Sequence, residues 1–262
     1  PTDQRLMRVE AGECDPGLTC LFFQFGRYLL ISSSRPGGLP ANLQGIWADG
    51  FVPPWNADYH TNINLQMNYW PAELCGLPAC HAPLFEFVDA LRPRGRETAR
   101  KVFGCRGFVA GHTTDVWLHG SIIGNAQYGM WRYGAAWCAC HLWEHYAFGL
   151  DRHFLANLAY PIMREAAEFL LDFLVENPAN GQLVSGPSTS PENRFRTPDG
   201  QVAHLTMGPA MDHQIIRDLL GHCITAAEIL DTDAPFRGDL ELALERLAPV
   251  SIGADGRLME WP

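Results

Sequence analysis

The segment DYHTNINLQMNYWPAEL, residues 58 to 74, changes character halfway along. Its second half has apolar side chains at helical spacing and predicts the start of a buried helix. Its first half places His60, Asn62 and Asn64 at every second position, so an extended backbone would direct all three side chains to one side. Imidazole and amide groups need polar partners when they are buried. The segment therefore predicts either a polar cavity beside a helix or a capping network in which Asn62 or Asn64 begins that helix.

Several other segments of the chain also have helical periodicity, whereas strand-like alternation is scarce. Three long connections are rich in Gly, Pro, Ser and Trp, and loops of this length in a compact domain are usually functional when they are ordered. We expect an all-α domain of antiparallel helical hairpins with its functional groups on the long loops. The other predicted helices cover residues 18–33, 82–103, 137–149, 152–177, 211–230 and 239–250, and the connections are 34–62, 104–136 and 178–210.

The composition excludes several classes of protein. The 262 residues are 47% hydrophobic, enough for a sizeable core, and carry 19 basic against 29 acidic residues, for a formal net charge of -10. A chain this acidic, without a Lys/Arg run, is not expected to bind nucleic acid. No stretch approaches the roughly 20 apolar residues of a membrane span. The eight cysteines show no CxxC pair or repeated zinc-ligand spacing, so neither a metal nor a cofactor is predicted.

A candidate acid lies in the third connection. Glu192 is the only glutamate in GQLVSGPSTSPENRFRTPDG, residues 181 to 200, and the loop around it is stiffened by proline. A carboxyl group held in a desolvated pocket can have the raised pKa that a general acid needs at neutral pH. The alternative is that Glu192 caps an exposed turn, and this loop alone does not decide between the two.

Aromatic side chains are concentrated in the same connections. Trp47 and Trp55 precede the row of polar residues, and Trp117 and Trp131 lie in the second connection. Flat apolar faces beside a few hydrogen-bonding groups are typical of ligand pockets. Trp55 is therefore a candidate for sugar contact. Asp115, in HTTDVWLHG, is another candidate whose alternative role is to brace its loop.

A competing motif is HLWEH, residues 141 to 145, which matches the H-x-x-E-H pattern of some zinc peptidases. On a helix His141 and His145 share one face, and Glu144 would activate water. The match is short, and polar residues among large apolar ones also arise where two layers of helices pack. The packing interpretation is preferred, because no surrounding feature indicates a peptidase.

Several long motifs, in order, resemble glycoside hydrolase family 95. The first is GRYLLISSSRPGGLPANLQGIWADGFVPPWNADYHTNINLQMNYWPAE, residues 26 to 73. The others are GMWRYGAAWCACHLWEHY (129–146), GPSTSPENRF (186–195) and GPAMDHQIIRDLL (208–220). The resemblance covers nearly the whole chain and implies an (α/α)6 barrel that hydrolyses terminal α-L-fucosides, chiefly 1,2-linked, with inversion. Some relatives prefer α-L-galactosides.

The same resemblance implies roles for individual residues. Glu192 matches the general acid, and Asn62 with Asn64 matches the amide pair that holds the attacking water. His60 matches a sugar-contacting position at which His accompanies fucose preference and Thr galactose preference. The acid and the amides are then expected to face each other across one cavity, at the roughly 6.5 to 9.5 Å that inverting enzymes use.

The resemblance also implies that residues 1–262 are the N-terminal portion of the domain. The family domain continues beyond GRLMEWP, the last residues here, into a segment that carries a supporting aspartate, and about seven helices are predicted where the barrel needs twelve. The expected partners are a fucosylated glycan and the missing C-terminal part of the domain. Activity of this chain alone is uncertain, and a noncatalytic glycan-binding remnant is the alternative from another class.

Overall fold

The computed structural model describes residues 1–262, and the chain is mainly helical. The helices are α1 (Thr2–Glu10), α2 (Pro16–Ser33), α3 (Asn64–Tyr69), α4 (Pro71–Leu74), α5 (Ala82–Thr98), α6 (Ala126–Gly129), α7 (Gly134–Gly149), α8 (Arg152–Phe154), α9 (Tyr160–Phe173), α10 (Ala210–Leu230) and α11 (Ala234–Arg246). Single wider turns extend α5 over Ala99–Phe103 and join α8 to α9 over Leu155–Ala159.

Short antiparallel strand pairs accompany the helices. The strands are β1 (Tyr59–His60), β2 (Thr113–Thr114), β3 (Val175–Glu176), β4 (Leu183–Val184), β5 (Phe195–Arg196) and β6 (Val202–Ala203). β1 pairs with β2, β3 with β4, and β5 with β6. The first pair joins the first long connection to the second, and the third pair is a hairpin within the third connection.

The core forms where α5, α7, α9, α10 and α11 pack on one another. Forty-six buried hydrophobic residues make one continuous cluster. The apolar stripes that predicted these helices supply it, as Leu84, Leu142, Ile162, Ile216 and Leu240 show, each with no exposed surface. Helices whose apolar faces meet in this way are held by burial of those faces rather than by helix propensity.

Some helices begin at residues that favour a helix start, and α2 is an example. At the start of α2, the Asp15 side chain accepts a hydrogen bond of 2.9 Å from the Leu18 amide, and Pro16 occupies the first helical position. An acidic cap followed by proline is a favourable helix start. No helix of the chain is both long enough and apolar enough to cross a membrane.

Several boundaries differ from the sequence-based expectation. The helix predicted to run to residue 177 ends at Phe173, because β3 begins two residues later and pairs with β4. α1 was not predicted; it spans nine residues, and none of them is buried. The helix predicted over residues 63–74 is present as α3 and α4.

Candidate active site

The polar row begins on β1, which is held against the second long connection. Tyr59 pairs with Thr114 and His60 with Thr113, and the Thr61 amide donates to the His112 carbonyl at 2.7 Å. The chain is extended only over this short strand. It then turns and enters α3 at Asn64, so His60, Asn62 and Asn64 do not form one continuous extended row.

The three polar side chains have different environments. His60 is half-buried, and its Nε2 lies 3.1 Å from an Asp58 carboxylate oxygen. Asn62 is 4% exposed, and its Oδ1 has no hydrogen-bond partner. Asn64 is exposed at the first position of α3. Ile63 occupies the N-cap position of α3, and no side chain forms a capping hydrogen bond there. Neither Asn62 nor Asn64 therefore caps the helix.

His112 connects the polar row to the acid loop. Its ring centroid lies 6.0 Å from that of His60 and 5.1 Å from that of Tyr128. Burial lowers the pKa of His112, His60 lowers it further, and the negative charge of Glu192 opposes both. His112 is therefore close enough to both His60 and Glu192 for each of them to act on its pKa. The sequence analysis did not single out His112, although it lies in the same short motif as Asp115.

Glu192 is exposed at the tip of the third connection. The Gln127 side-chain amide donates to the Glu192 carbonyl at 3.2 Å, and the Thr189 hydroxyl donates to the Gln127 carbonyl at 3.0 Å. These contacts tie the acid loop to the second connection, which also carries His112. The loop is thus fixed where the carboxyl group can reach solvent or a ligand. Five surface cavities of 350 to 500 Å³ are lined by other residues and include none of His60, Asn62, Asn64 and Glu192.

The other two predicted contacts have contrasting environments. Trp55 is 70% exposed and lies in a turn where it, Asn56 and Ala57 all have positive φ angles, of 48°, 56° and 50°. Such conformations of non-glycine residues are costly and often occur at ligand-binding sites. The Asp115 carboxylate accepts a hydrogen bond of 2.9 Å from the Trp117 amide, which is the bracing role considered for it.

The remaining tryptophans of the long connections are divided between surface and core. Trp131 has no exposed surface and belongs to the core cluster, whereas Trp47 and Trp117 are 46% and 82% exposed. Trp131 is therefore a packing residue. In the sequence, the position of Trp131 just before the helical periodicity of α7 could have indicated this packing role.

The histidines of HLWEH join a different polar cluster. One oxygen of Glu73 lies 2.8 Å from His81 Nδ1 and 2.6 Å from His145 Nδ1, and His81 Nε2 lies 2.9 Å from His141 Nδ1. Glu144 is exposed and takes no part in it. The ligand atoms of Glu73, His81 and His145 lie within 4.8 Å of one another, a donor set that suits a divalent cation. In the structure these atoms bond to each other, and burial lowers the pKa of His141 to about 3.

Chemically, this region offers an exposed carboxyl group on one loop, a buried and unpaired amide oxygen on another, and the imidazoles of His60 and His112. A carboxyl group can transfer a proton, and an amide oxygen can accept a hydrogen bond and so orient a water molecule. Both Glu192 and His60 lie near His112. Asn62 is buried two residues after His60, and Asn64 is exposed at the start of α3.

Comparison with known proteins supplies independent information. The model of the glycosyl hydrolase family 95 catalytic domain matches residues 1–262. Among curated proteins, the chain is 43% identical to alpha-L-fucosidase 2 of Arabidopsis thaliana, over 94% of this chain and 29% of that protein. It is 36% identical to a probable alpha-fucosidase A of Aspergillus niger, over 94% of this chain and 31% of that protein. The chain thus spans less than a third of the length of these relatives.

Among solved structures, the chain is similar to a putative kojibiose phosphorylase from the human microbiome. The TM-score is 0.60 at 10% sequence identity, over 88% of this chain and 34% of that one. At this identity the similarity concerns the fold alone.

Proposed function

Since the chain belongs to glycosyl hydrolase family 95, we propose that it carries the acid and the water-binding groups of an inverting α-L-fucosidase. Glu192 is the general acid, and Asn62 with Asn64 positions the attacking water. His60 and Trp55 contact the sugar, and the preferred bond is a terminal 1,2-linked fucoside. The observation that carries the proposal is the proximity of His112 both to His60, at 6.0 Å between ring centroids, and to the charge of Glu192.

The water-binding role follows from the state of Asn62. Its Oδ1 is buried without a hydrogen-bond partner, and a buried polar group of this kind calls for an explanation. A water molecule held between Asn62 and the sugar would donate to this oxygen. An amide is a feeble base, so its contribution is to fix the direction of attack. A supporting carboxylate from the rest of the family domain would polarise the amide.

The acid role follows from the placement of Glu192. In an inverting reaction the acid protonates the leaving oxygen on the face of the sugar opposite the water, roughly 6.5 to 9.5 Å from the group that activates it. Glu192 lies on the third connection and Asn62 at the end of the first, so the proposal requires the two side chains to face each other across a pyranose ring. Asp115 is a loop brace in this proposal, because its carboxylate already accepts the Trp117 amide.

The proposal includes the architecture. The helices are the N-terminal part of an (α/α)6 barrel, and the rest of the barrel is the partner that completes the active-site wall. The likeness to a phosphorylase over only 34% of its chain supports this reading. A noncatalytic remnant would bind fucosylated glycans without hydrolysing them.

The test compares Glu192→Gln with wild type in the natural full-length protein and in the 262-residue chain. Release of β-L-fucose from a 2'-fucosylated oligosaccharide, followed by NMR, reports both rate and stereochemistry. We expect kcat to fall by about 10² to 10⁴, because the leaving oxygen then departs without a proton. An aryl fucoside with an acidic phenol as leaving group needs no acid and should retain most of its rate. The exposed Glu86→Gln is the matched control.

Unchanged turnover of the oligosaccharide in Glu192→Gln would remove Glu192 from the acid role. Release of the α-anomer would exclude inversion. A parallel assay with an α-L-galactoside separates the two sugar preferences, and faster release of galactose than of fucose would overturn the assignment of His60.

A further inference from the structure

The acid loop is anchored from its inner side. Ser185, Ser188 and Thr189 have no exposed surface and Ser190 has 4%, whereas Glu192, two residues later, is exposed. Burial of four small polar residues within this short segment requires partners for their hydroxyl and backbone groups.

Two of those partners are neighbours at the start of α10. Asp212 Oδ2 accepts a hydrogen bond of 3.0 Å from the Ser185 hydroxyl, and His213 Nε2 accepts one of 3.3 Å from the Ser185 amide. His213 Nδ1 in turn donates to the Ala248 carbonyl at 3.0 Å, which fixes its tautomer. Asp212 has no exposed surface and His213 has 2%. The start of α10 thus holds the base of the acid loop.

The second connection supplies two more groups to the same place. Arg132, 3% exposed, donates from Nη1 to the Pro187 carbonyl at 2.5 Å, and its guanidinium lies over the Phe173 ring at 4.8 Å. The Tyr133 hydroxyl is fully buried, faces Asp212 and has no hydrogen-bond partner of its own. Asp212 Oδ1 is likewise buried without a partner.

We propose that Asp212 is a positioning residue for Glu192, fixing the segment from Ser185 to Ser190 so that the acid is presented to the glycosidic oxygen. The proposal rests on the function proposed above. It gives a role to GPAMDH, residues 208 to 213, which the reaction itself does not use.

A carboxyl group suits this position because its neighbours are hydroxyl donors. The Ser185 hydroxyl donates to Asp212 Oδ2, the hydroxyls of Ser188 and Tyr133 lie near enough to affect the pKa of Asp212, and a carboxylate offers acceptor sites on both oxygens. An asparagine would replace one oxygen by an NH₂ group and bring a donor against donors. Desolvation raises the pKa of Asp212 to about 7, although the three hydroxyls act to lower it. A misplacement of the acid by about 1 Å can cost about 10² in rate.

The experiment compares Asp212→Asn and Ser185→Ala with wild type, and Asp218→Asn is the matched control. Asp218 lies on the same helix and is exposed. Ser185→Ala is the milder change, because it removes one hydroxyl at nearly constant volume. Amide hydrogen exchange is measured at the acid loop and at α9, whose protection reports that the core remains folded.

We expect exchange in residues 185–193 to be at least about tenfold faster in Asp212→Asn and Ser185→Ala, with α9 unchanged in Ser185→Ala and Asp218→Asn like wild type. In the natural full-length enzyme, kcat on the 2'-fucosylated oligosaccharide should fall by about 10 to 100 with KM little changed. The aryl fucoside, which needs no acid, should lose much less.

Loop exchange equal to wild type in both variants would overturn the proposal. So would a loss of rate shared equally by the oligosaccharide and the aryl fucoside, because a misplaced acid affects only the first. If wild type hydrolyses neither substrate, the proposed function fails instead, and the exchange result still decides whether Asp212 positions the loop.

Discussion

The Glu73 carboxylate is within hydrogen-bonding distance of two imidazoles. One of its oxygens lies 2.8 Å from His81 Nδ1 and 2.6 Å from His145 Nδ1, and the residue is 9% exposed. Replacing it by glutamine would put a neutral amide oxygen where a carboxylate oxygen contacts both ring nitrogens, and the loss of two charge-assisted hydrogen bonds in a buried cluster costs roughly 1 to 3 kcal/mol. We expect Glu73→Gln to lower the free energy of unfolding by that amount in urea titrations.

The HLWEH motif offers the control for this variant. Glu144 belongs to the motif but is exposed and outside the cluster, so Glu144→Gln should leave the urea midpoint within experimental scatter. Equal effects of the two substitutions would show that the Glu73 cluster contributes nothing particular to stability.

Asp212 makes stability depend on pH. Desolvation raises its pKa from an ordinary 3.8 to about 7 in the folded protein. Between these values the folded state binds more protons at this residue than the unfolded state, so its effect is to lower stability as the pH rises from about 4 to about 7. Buried histidines such as His141, whose pKa is lowered by burial, act in the opposite sense.

The contribution of Asp212 to the pH dependence of stability is obtained by comparing Asp212→Asn with wild type at two pH values. The free energy of unfolding of Asp212→Asn minus that of wild type should increase by about 2 to 3 kcal/mol between about pH 5 and about pH 8. Urea titrations at the two pH values measure it. A difference that stays constant with pH would mean that Asp212 titrates alike in the folded and unfolded states.

The sequence indicated which residues to consider for the candidate site, but it did not give their geometry. The period-two pattern marked His60, Asn62 and Asn64, but only Tyr59 and His60 are extended, because the chain must turn before α3. His112 was missed, since its position depends on the pairing of β1 with β2, a contact between residues more than fifty positions apart. Pairing of two-residue strands leaves almost no pattern in a sequence.

At the scale of helices, periodicity was a good guide wherever one face is buried. The predicted segments 137–149 and 211–230 correspond to α7, at Gly134–Gly149, and α10, at Ala210–Leu230. The failures have local causes. The helix end at Phe173 is set by the β3 pairing, and the wider turns within and beside helices have no simple residue signature.

The contact between the second connection and α9 depends on a glycine. Gly107 has a φ of +65°, and a Cβ there would lie 2.0 Å from the Glu165 carbonyl oxygen on α9. Gly104 has a similar φ of +68°, but a Cβ there would meet nothing within 4 Å. Substitution of either glycine would force a side-chain-bearing residue into a left-handed conformation. Only substitution of Gly107 would also create a steric clash.

We therefore expect Gly107→Ala to destabilise the protein more than Gly104→Ala. The left-handed conformation costs an alanine roughly 1 to 2 kcal/mol at either position. The clash at Gly107 should add at least about 1 to 3 kcal/mol, as overpacking does. Thermal unfolding of the two variants measures the difference, and equal melting temperatures would mean that α9 moves aside without cost.

The apolar side chains of the molecule are unevenly buried. The five central helices bury their apolar faces against each other, but α2 has only Leu30 and Ser33 buried. Phe22 is 77% exposed, and Phe25 and Tyr28, which stack with ring centroids 6.0 Å apart, are 52% and 53% exposed. Contiguous exposed apolar surface of this kind is characteristic of an interface or an aggregation site.

The α2 surface, consisting of Phe22, Phe25 and Tyr28, should make the 262-residue chain associate. We expect light scattering coupled to size-exclusion chromatography to give an apparent mass that rises with concentration. Phe22→Glu should shift the chain toward the monomer, because association would then bury a charge. Leu242→Glu, at a 55% exposed site on α11, is the control and should behave as wild type. A constant monomer mass for wild type at every concentration would show that the α2 surface does not drive association when it is exposed to solvent. The rest of the proposed barrel would then not be needed to cover it.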